Sequence, residues 1–330
     1  MQDSKLLGAL NCKNKEIYFT SCGSESDNLA IKGFCYANKN KGNHIITTKI
    51  EHPAVLNTCK TLEKQGFEVT YLDVDKSGFV SVKDVEENIK KNTILITVMM
   101  ANNEIGTIEP ISEIGKLARN KGIAFHTDAV QAVGNIKIDV QKMNIDMLSM
   151  SAHKFYGPKG IGALYVKEGI DFDRILDGGH QEREKRSGTE NVAEIVGLGK
   201  AIELSDRNLK EYNKKLYDLR EYFINELEKS IGKENIQVNG DRKNRLPGNA
   251  NITFTQISSK ELLNKLDQMG ICASGGSACS SSCSTPSHVL SAIGVSNMEA
   301  LNTVRFTFGE ENNLYEIQYI VRCINYIINL

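Results

Sequence analysis

The amino-acid sequence predicts an α/β fold, with a doubly wound, mostly parallel sheet and a smaller α+β domain. Through the first two hundred residues, short apolar runs alternate with amphipathic stretches, the order strand, helix, strand, helix. From about Ser187 that alternation gives way to a long charged helical stretch and then to a less regular order. The length agrees, since 330 residues at roughly 150 per domain suggest about two domains. The expected division is a large domain over residues 1–208 and a small one over 209–330.

The first apolar run, residues 17–19, leads into Gly23 and Ser24 and then a helical pattern over 26–38. Residues 44–47 form the next strand. The helix after it opens with Pro53, whose fixed φ suits a first turn, and closes at Gly66. Strand 67–72 precedes a helix that Ser81 caps, with Asp84 in its first turn, running to Lys91. Strand 93–100 precedes helix 111–121, which Gly122 stops. Runs 123–125 and 145–150 are further strands. Residues 190–231 read as a long helix connecting the domains. Strand 251–254, helix 260–269, a Gly/Ser/Cys-rich loop over 272–287, strand 304–308 and helix 314–329 complete the smaller domain.

Composition removes several classes of function. Forty Lys and Arg against forty-one Asp and Glu give a net charge of −1, which argues against a nucleic-acid or membrane-surface binder. No apolar run approaches the roughly 20 residues that cross a bilayer. The stretch from Leu6 to Leu10 is too short for a signal peptide, so a soluble, cytoplasmic protein is expected. Eight cysteines in such a chain should stay reduced. There is no C-x-x-C pair, and Cys272, Cys279 and Cys283 have no nearby His at zinc-finger spacing, so no intrinsic metal site is expected.

In open α/β sheets, ligands gather beyond the carboxyl ends of the strands. Gly23 and Ser24 lie at such a junction, where exposed N–H groups and the helix dipole favour a phosphate. No G-x-G-x-x-G fingerprint accompanies them, which disfavours a dinucleotide. Later junctions carry His52, then Asn102 and Asn103, then Asp128 and Gln131, then Ser151, His153 and Lys154. Taken singly, each reads as a cap or a solvated side chain. Five such junctions along one sheet edge point to a site. A lysine forms a Schiff base with an aldehyde. A carboxylate holds a pyridine nitrogen protonated, an imidazole stacks on the ring, and a helix N-terminus takes a phosphate. Those are the requirements of pyridoxal phosphate. Gly157-Pro158 should turn the chain sharply just after Lys154.

The segments FTSCGSESDNLAIKG, EHPAVL, ANNEIG, HTDAVQAVG, SAHKFYGPKGIGALYV, RSGTEN, SGGSACSSS and VRFTFG occur in this order from about residue 17 to about 309. With them the chain resembles the cysteine desulfurases of the NifS/IscS type, in the class V aminotransferase family. The resemblance implies the aspartate-aminotransferase-like fold (PLP fold type I). The stretch around Cys279 is similar to the NifS/IscS branch rather than to the branch whose nucleophile follows Arg-x-Gly-His-His. By the same resemblance Lys154 is the Schiff-base lysine, Asp128 the partner of the pyridine nitrogen, Gln131 that of the ring hydroxyl, and His52 the stacking imidazole. Gly23, Ser24, Ser151 and His153 match phosphate-binding positions, and Thr189 one that reaches the phosphate of a neighbouring subunit, which implies a homodimer. Asn103 and Arg305 match the groups holding the substrate carboxylate, a role the planar guanidinium suits.

Cys279 matches the nucleophile, which requires its thiolate. The implied reaction takes sulfur from L-cysteine, giving L-alanine and a Cys279 persulfide for iron–sulfur cluster or thio-cofactor assembly through a sulfur-acceptor protein such as a scaffold. On that partner Cys279 would be a transient iron–sulfur ligand. A selenocysteine lyase or other β-elimination enzyme, and a shortened non-catalytic paralogue that binds a partner, are the alternatives. The low apolar content around Cys279 fits a loop that moves between cofactor and acceptor. Two departures from the family pattern stand out. Cys22 replaces the usual glycine before the phosphate-binding turn, where a positive φ would strain it, and Cys283 is an additional thiol near the nucleophile. Relatives also begin some tens of residues earlier, so an N-terminal arm is expected to be missing and apolar surface left uncovered.

Overall fold

The computed structural model describes residues 8–276 and 286–329, so Cys279 and Cys283 lie outside the described residues. The chain divides into two compact units. One comprises Met1–Asp73, Val80–Ala101 and Glu109–Leu209, the other Val74–Phe79, Asn102–Ile108 and Lys210–Leu330. Residues 74–79 and 102–108 thus cluster with the second unit although their neighbours in sequence belong to the first.

In the first unit β1 (Ile17–Thr20) leads into α1 (Gly23–Asn28), which runs through a π-helical turn, Leu29–Gly33, into α2 (Phe34–Ala37). There follow β2 (His44–Thr48), α3 (Pro53–Glu63), β3 (Glu68–Leu72), α4 (Val82–Glu87), β4 (Thr93–Thr97), α5 (Ile111–Lys121), β5 (Ala124–Asp128), β6 (Met147–Ser151) and β7 (Gly162–Val166). The strand order is β1-β7-β6-β5-β4-β2-β3. From β3 to β6 the pairings are parallel, while β7 is antiparallel to both β6 and β1. Two antiparallel pairings in succession restore direction. The carboxyl end of β1 therefore lies at the same edge as those of β2, β4, β5 and β6.

Strands β2, β4, β6 and β7 are buried at every residue, as expected of a sheet covered on both faces. One core gathers Leu29, Ile31 and Phe34 from the first helix against Ile45, Leu95, Met147 and Leu164 of the sheet. The helix starts at Gly23 rather than Ser26, α4 ends at Glu87 rather than Lys91, and β4 ends at Thr97 rather than Met100. Strand β7, which the alternation alone did not single out, supplies the antiparallel reversal.

The 40-residue α6 (Val192–Ile231) contributes its last turns to the second unit. There β8 (Ile236–Val238), β9 (Asn249–Phe254) and β10 (Thr303–Thr307) form an antiparallel sheet in the order β10-β9-β8. It is joined by α7 (Ser259–Gln268), α8 (His288–Ala292), α9 (Asn297–Leu301) and α10 (Leu314–Ile328). Phe223 packs on Phe306 and Phe308 at ring distances of 4.9 and 5.3 Å, at the centre of a core that includes Ile252, Leu262 and Ile324.

Among the described residues, Cys12, Cys22, Cys35, Cys59, Cys272 and Cys323 form no disulfide. Burial pushes Cys12 and Cys35 up to about 12, which suits packing rather than nucleophilic chemistry. Among the described residues no helix is long and apolar enough to cross a membrane, and no cluster of His, Cys, Asp and Glu could hold a metal ion.

Gly115 in α5 illustrates how tightly the layers meet, because a Cβ there would lie 2.1 Å from the carbonyl oxygen of Met143. Alanine normally stabilises a helix interior over glycine by about 1 kcal/mol. Here Gly115→Ala should instead destabilise by about 1–3 kcal/mol, read as a lower urea midpoint at unchanged slope.

Candidate active site

The polar side chains at the carboxyl edge of the first unit's sheet are positioned by backbone geometry. Cys22 is the N-cap of α1, at φ −173°, extended backbone that a cysteine adopts without strain, and its side chain makes no cap hydrogen bond. Gly23 follows against the end of β6, where a Cβ would sit 2.6 Å from Val130 Cγ2 and 3.4 Å from Ser151 Cβ. Only glycine lets the start of the helix come this close. Exposed Ser24 takes the next position in that first turn. Ser151 ends β6 and caps a short 3-10 turn, Ala152–Phe155, that carries His153 and Lys154, both exposed. The left-handed residue closing this turn is Tyr156, at φ 64°, just before Gly157-Pro158.

Asp128, the last residue of β5, is 5% exposed, and its Oδ1 accepts from the Val130 amide at 2.9 Å. Burial pushes its carboxyl up to about 6, while the Val130 amide and the Lys154 ammonium pull the other way. Lost hydration, then Lys154 and Lys159, hold the His153 imidazole below its usual value. Gln131 lies in the turn just after Asp128, its carbonyl accepting from Asn135. His52 is the N-cap of α3, and its Nδ1 accepts from the Ala54 amide at 3.1 Å. That bond places the ring proton of the neutral form on Nε2.

Thr189 is exposed on the segment after Arg186. The Arg186 guanidinium grips Glu25 of α1 through Nε at 2.7 Å and Nη2 at 3.1 Å, anchoring that segment beside the first turn of the helix. Sequence inspection passed over this pair, although both residues lie within the matched segments. A helix start made close by glycine, a buried carboxylate under a lysine, and serine and imidazole side chains beside them fit the phosphate, ring nitrogen and aldehyde of pyridoxal phosphate.

The second unit brings Asn103 and Arg305 together, because Arg305 Nη1 donates to the Asn103 carbonyl. Neighbouring Asn102 spans the turn with its side chain, Oδ1 accepting from the amides of Glu104 and Ile105 at 2.8 and 3.0 Å. Asn249 and Asn251 of β9 donate to the Glu104 carbonyl at 3.1 and 3.2 Å, which fixes this segment to the small sheet. The backbone of Arg305 pairs with Ser274 in both directions. Buried Glu104 accepts from Ser287 Oγ at 2.5 Å, and a Cβ on Gly276 would lie 3.5 Å from its Oε2. Glu104 therefore touches the described chain on both sides of residues 277–285, a role the motif ANNEIG did not announce.

The class this fold and site define is matched directly, since the family described as aminotransferase class-V covers residues 4–320. The cysteine desulfurase IscS of Clostridium botulinum (strain Hall) is 55% identical over 320 residues, spanning 97% of this chain and 81% of that protein. IscS of Dictyoglomus turgidum is 51% identical over 324 residues, 98% of this chain and 82% of the relative. Among solved structures, a NifS-like protein aligns with a TM-score of 0.92 at 34% identity over 99% of this chain and 86% of its own. One titled SspA in complex with cysteine aligns at 0.81 and 42% identity over 93% and 85%. The chain belongs to the cysteine desulfurase family of class V aminotransferases.

Two expectations follow. A carboxyl raised to about 6 binds a pyridinium only when ionised, so affinity of the apoprotein for pyridoxal phosphate should fall roughly tenfold per pH unit below that value. Fluorescence titration should show that slope in the wild type and its loss in Asp128→Asn. Glu104→Ala, which removes the acceptor of Ser287, should lower the rate of sulfide release about tenfold, near the value of a charge-assisted hydrogen bond. Cofactor content, measured by absorbance, should stay unchanged.

Proposed function

We propose that this chain is a pyridoxal-phosphate-dependent cysteine desulfurase in which Lys154 anchors the cofactor and Cys279 receives the sulfur. The observation that carries the reading is the buried Asp128 carboxylate on which the Lys154 ammonium acts, at the edge where Gly23 meets Ser151. The family match supports the activity.

When bound, pyridoxal phosphate supplies an aldehyde carbon that takes up an amine and a ring that draws electrons from the substrate's α-carbon. Gly23 and Ser24, with Ser151 and His153, would hold the phosphate, and Thr189 would serve the phosphate of the partner subunit in a homodimer. Asp128 would accept the ring N–H, Gln131 would pair with the ring hydroxyl, and His52 would stack on the ring. Lys154 Nζ would anchor the cofactor's aldehyde carbon and, when free, hold and move protons, with His52 Nε2 assisting. Asn103 and the Arg305 guanidinium hold the substrate carboxylate.

Cys279, as its thiolate, attacks the substrate sulfur. The S–S bond forms as the C–S bond breaks, the electron pair stays with carbon, and a proton delivered there completes L-alanine. The sulfur is oxidised as the carbon is reduced, so no external oxidant is needed. The persulfide passes to an acceptor protein, such as an iron–sulfur scaffold, in the cytoplasm.

Purified protein should be yellow and release alanine and sulfide from L-cysteine. Lys154→Ala should lose the visible band, and Cys279→Ala should keep it while releasing no sulfide in the absence of added thiol. Undiminished sulfide release by Cys279→Ala would reject the assignment of the nucleophile.

A further inference from the structure

Beneath Asp128 lies a set of buried polar side chains that the proposed chemistry does not use. Asp27, on α1, is 1% exposed, and its Oδ1 has no hydrogen-bond partner among the described residues. His126, on β5, is fully buried, with Nδ1 2.8 Å from Thr97 Oγ1 and Nε2 3.0 Å from Ser149 Oγ. The same Nε2 is 3.8 Å from Asp27 Oδ1, and Ser149 also hydrogen-bonds Asp27. Thr97, His126, Ser149 and Asp27 thus form one chain of hydrogen-bonding groups drawn from β4, β5, β6 and α1.

Asp128 of β5, Glu51 before α3 and Cys22 at the helix cap each act unfavourably on a charge at Asp27. His126 brings no compensating charge, because burial pushes its imidazole down to about 3. Glu51 is itself pushed up to about 8 by burial, although its Oε1 accepts from the Met99 amide and Thr48 Oγ1 at 2.9 and 2.7 Å. The cation of the pocket, Lys154, acts on Asp128. Two neighbouring buried carboxyls do not both ionise readily, and the one facing a cation keeps the charge.

The chain has two possible polarities, and they differ in where the imidazole proton sits. With Asp27 ionised, Ser149 donates to Asp27, His126 Nε2–H donates to Ser149, and Nδ1 accepts from Thr97. With Asp27 protonated and donating into the chain, every bond reverses. Asp27 then donates to Ser149, Ser149 donates to Nε2, and Nδ1–H donates to Thr97.

We infer that Asp27 is a positioning residue held as the neutral acid, its proton committed to the Ser149–His126–Thr97 chain, so that Asp128 carries the negative charge offered to the cofactor's ring nitrogen. Burial, then the charge of Asp128, drives Asp27 well above the usual carboxyl range, in the same direction. The inference rests on the reading of Asp128 as the ring-nitrogen partner.

The holoprotein labelled with 15N-histidine tests it by long-range proton–nitrogen correlation, with the His126 ring assigned through its own backbone. The expected result is a neutral ring protonated on Nδ1 throughout about pH 6 to 8. A proton on Nε2 means that Asp27 does not donate its proton into this chain and overturns the inference. In parallel, Asp27→Asn, which keeps the position neutral, should move the pH midpoint of the visible cofactor band by less than about twofold in proton affinity. A shift of about tenfold, one pKa unit, means that a charge was removed and equally overturns it. If the variant fails to fold, the wild-type tautomer still decides. That tautomer reports on Asp27 whether or not Asp128 meets a ring nitrogen, so failure of the inference is distinguishable from failure of the Asp128 assignment.

Discussion

Keeping Asp128 charged inside the protein is costly, and much of the first unit is arranged around that cost. Its carboxylate sits at the end of β5, flanked by parallel β4 and β6, where burial alone would neutralise it. The Val130 amide, in the turn after β5, and the Lys154 ammonium, in the 3-10 turn after β6, oppose that tendency. The reversal through β7 brings β1 back with its carboxyl end at the same edge, which places Gly23 against Val130 and Ser151. The residues proposed for phosphate, ring-nitrogen and amine chemistry thereby stand along one edge of one sheet.

The second unit organises a different group of residues, those proposed to meet the substrate carboxylate. Residues 102–108 belong to it through the bonds of Glu104 to Asn249 and Asn251, and Arg305 takes the carbonyl of Asn103. The backbone pairing of Ser274 with Arg305 ties the start of the cysteine segment to the strand that bears the arginine. One strand thus serves both binding and support.

Most elements were legible because their signals are local. Pro53 at a first turn, Ser81 accepting from the Asp84 amide and Gly122 in the left-handed conformation at φ 67° all follow from side-chain chemistry within a few residues. The candidate residues were legible by position, since Asp128 ends β5 and His52 and Lys154 follow β2 and β6 within a few residues. What local signals omitted were β7 and β8, the short α8 and α9, and the early start of the first helix. Strand β7 and the helix start depend on partners far away in the chain, as when Gly23 opens the helix against Ser151, whereas α8 and α9, capped locally by Ser287 and Ser296, are too short to show a periodicity.

By itself the sequence determined the α/β class, the chemistry available at the sheet edge and the family, because periodicity, caps and motif order are properties of neighbouring residues. Tertiary structure alone decided the clamp of Arg186 on Glu25, 161 residues apart, the place of Glu104 beside Ser287, and the buried chain from Thr97 to Asp27. The physical reason is that burial and proximity, which set the charge of a carboxyl or the proton of an imidazole, exist only once distant segments have packed.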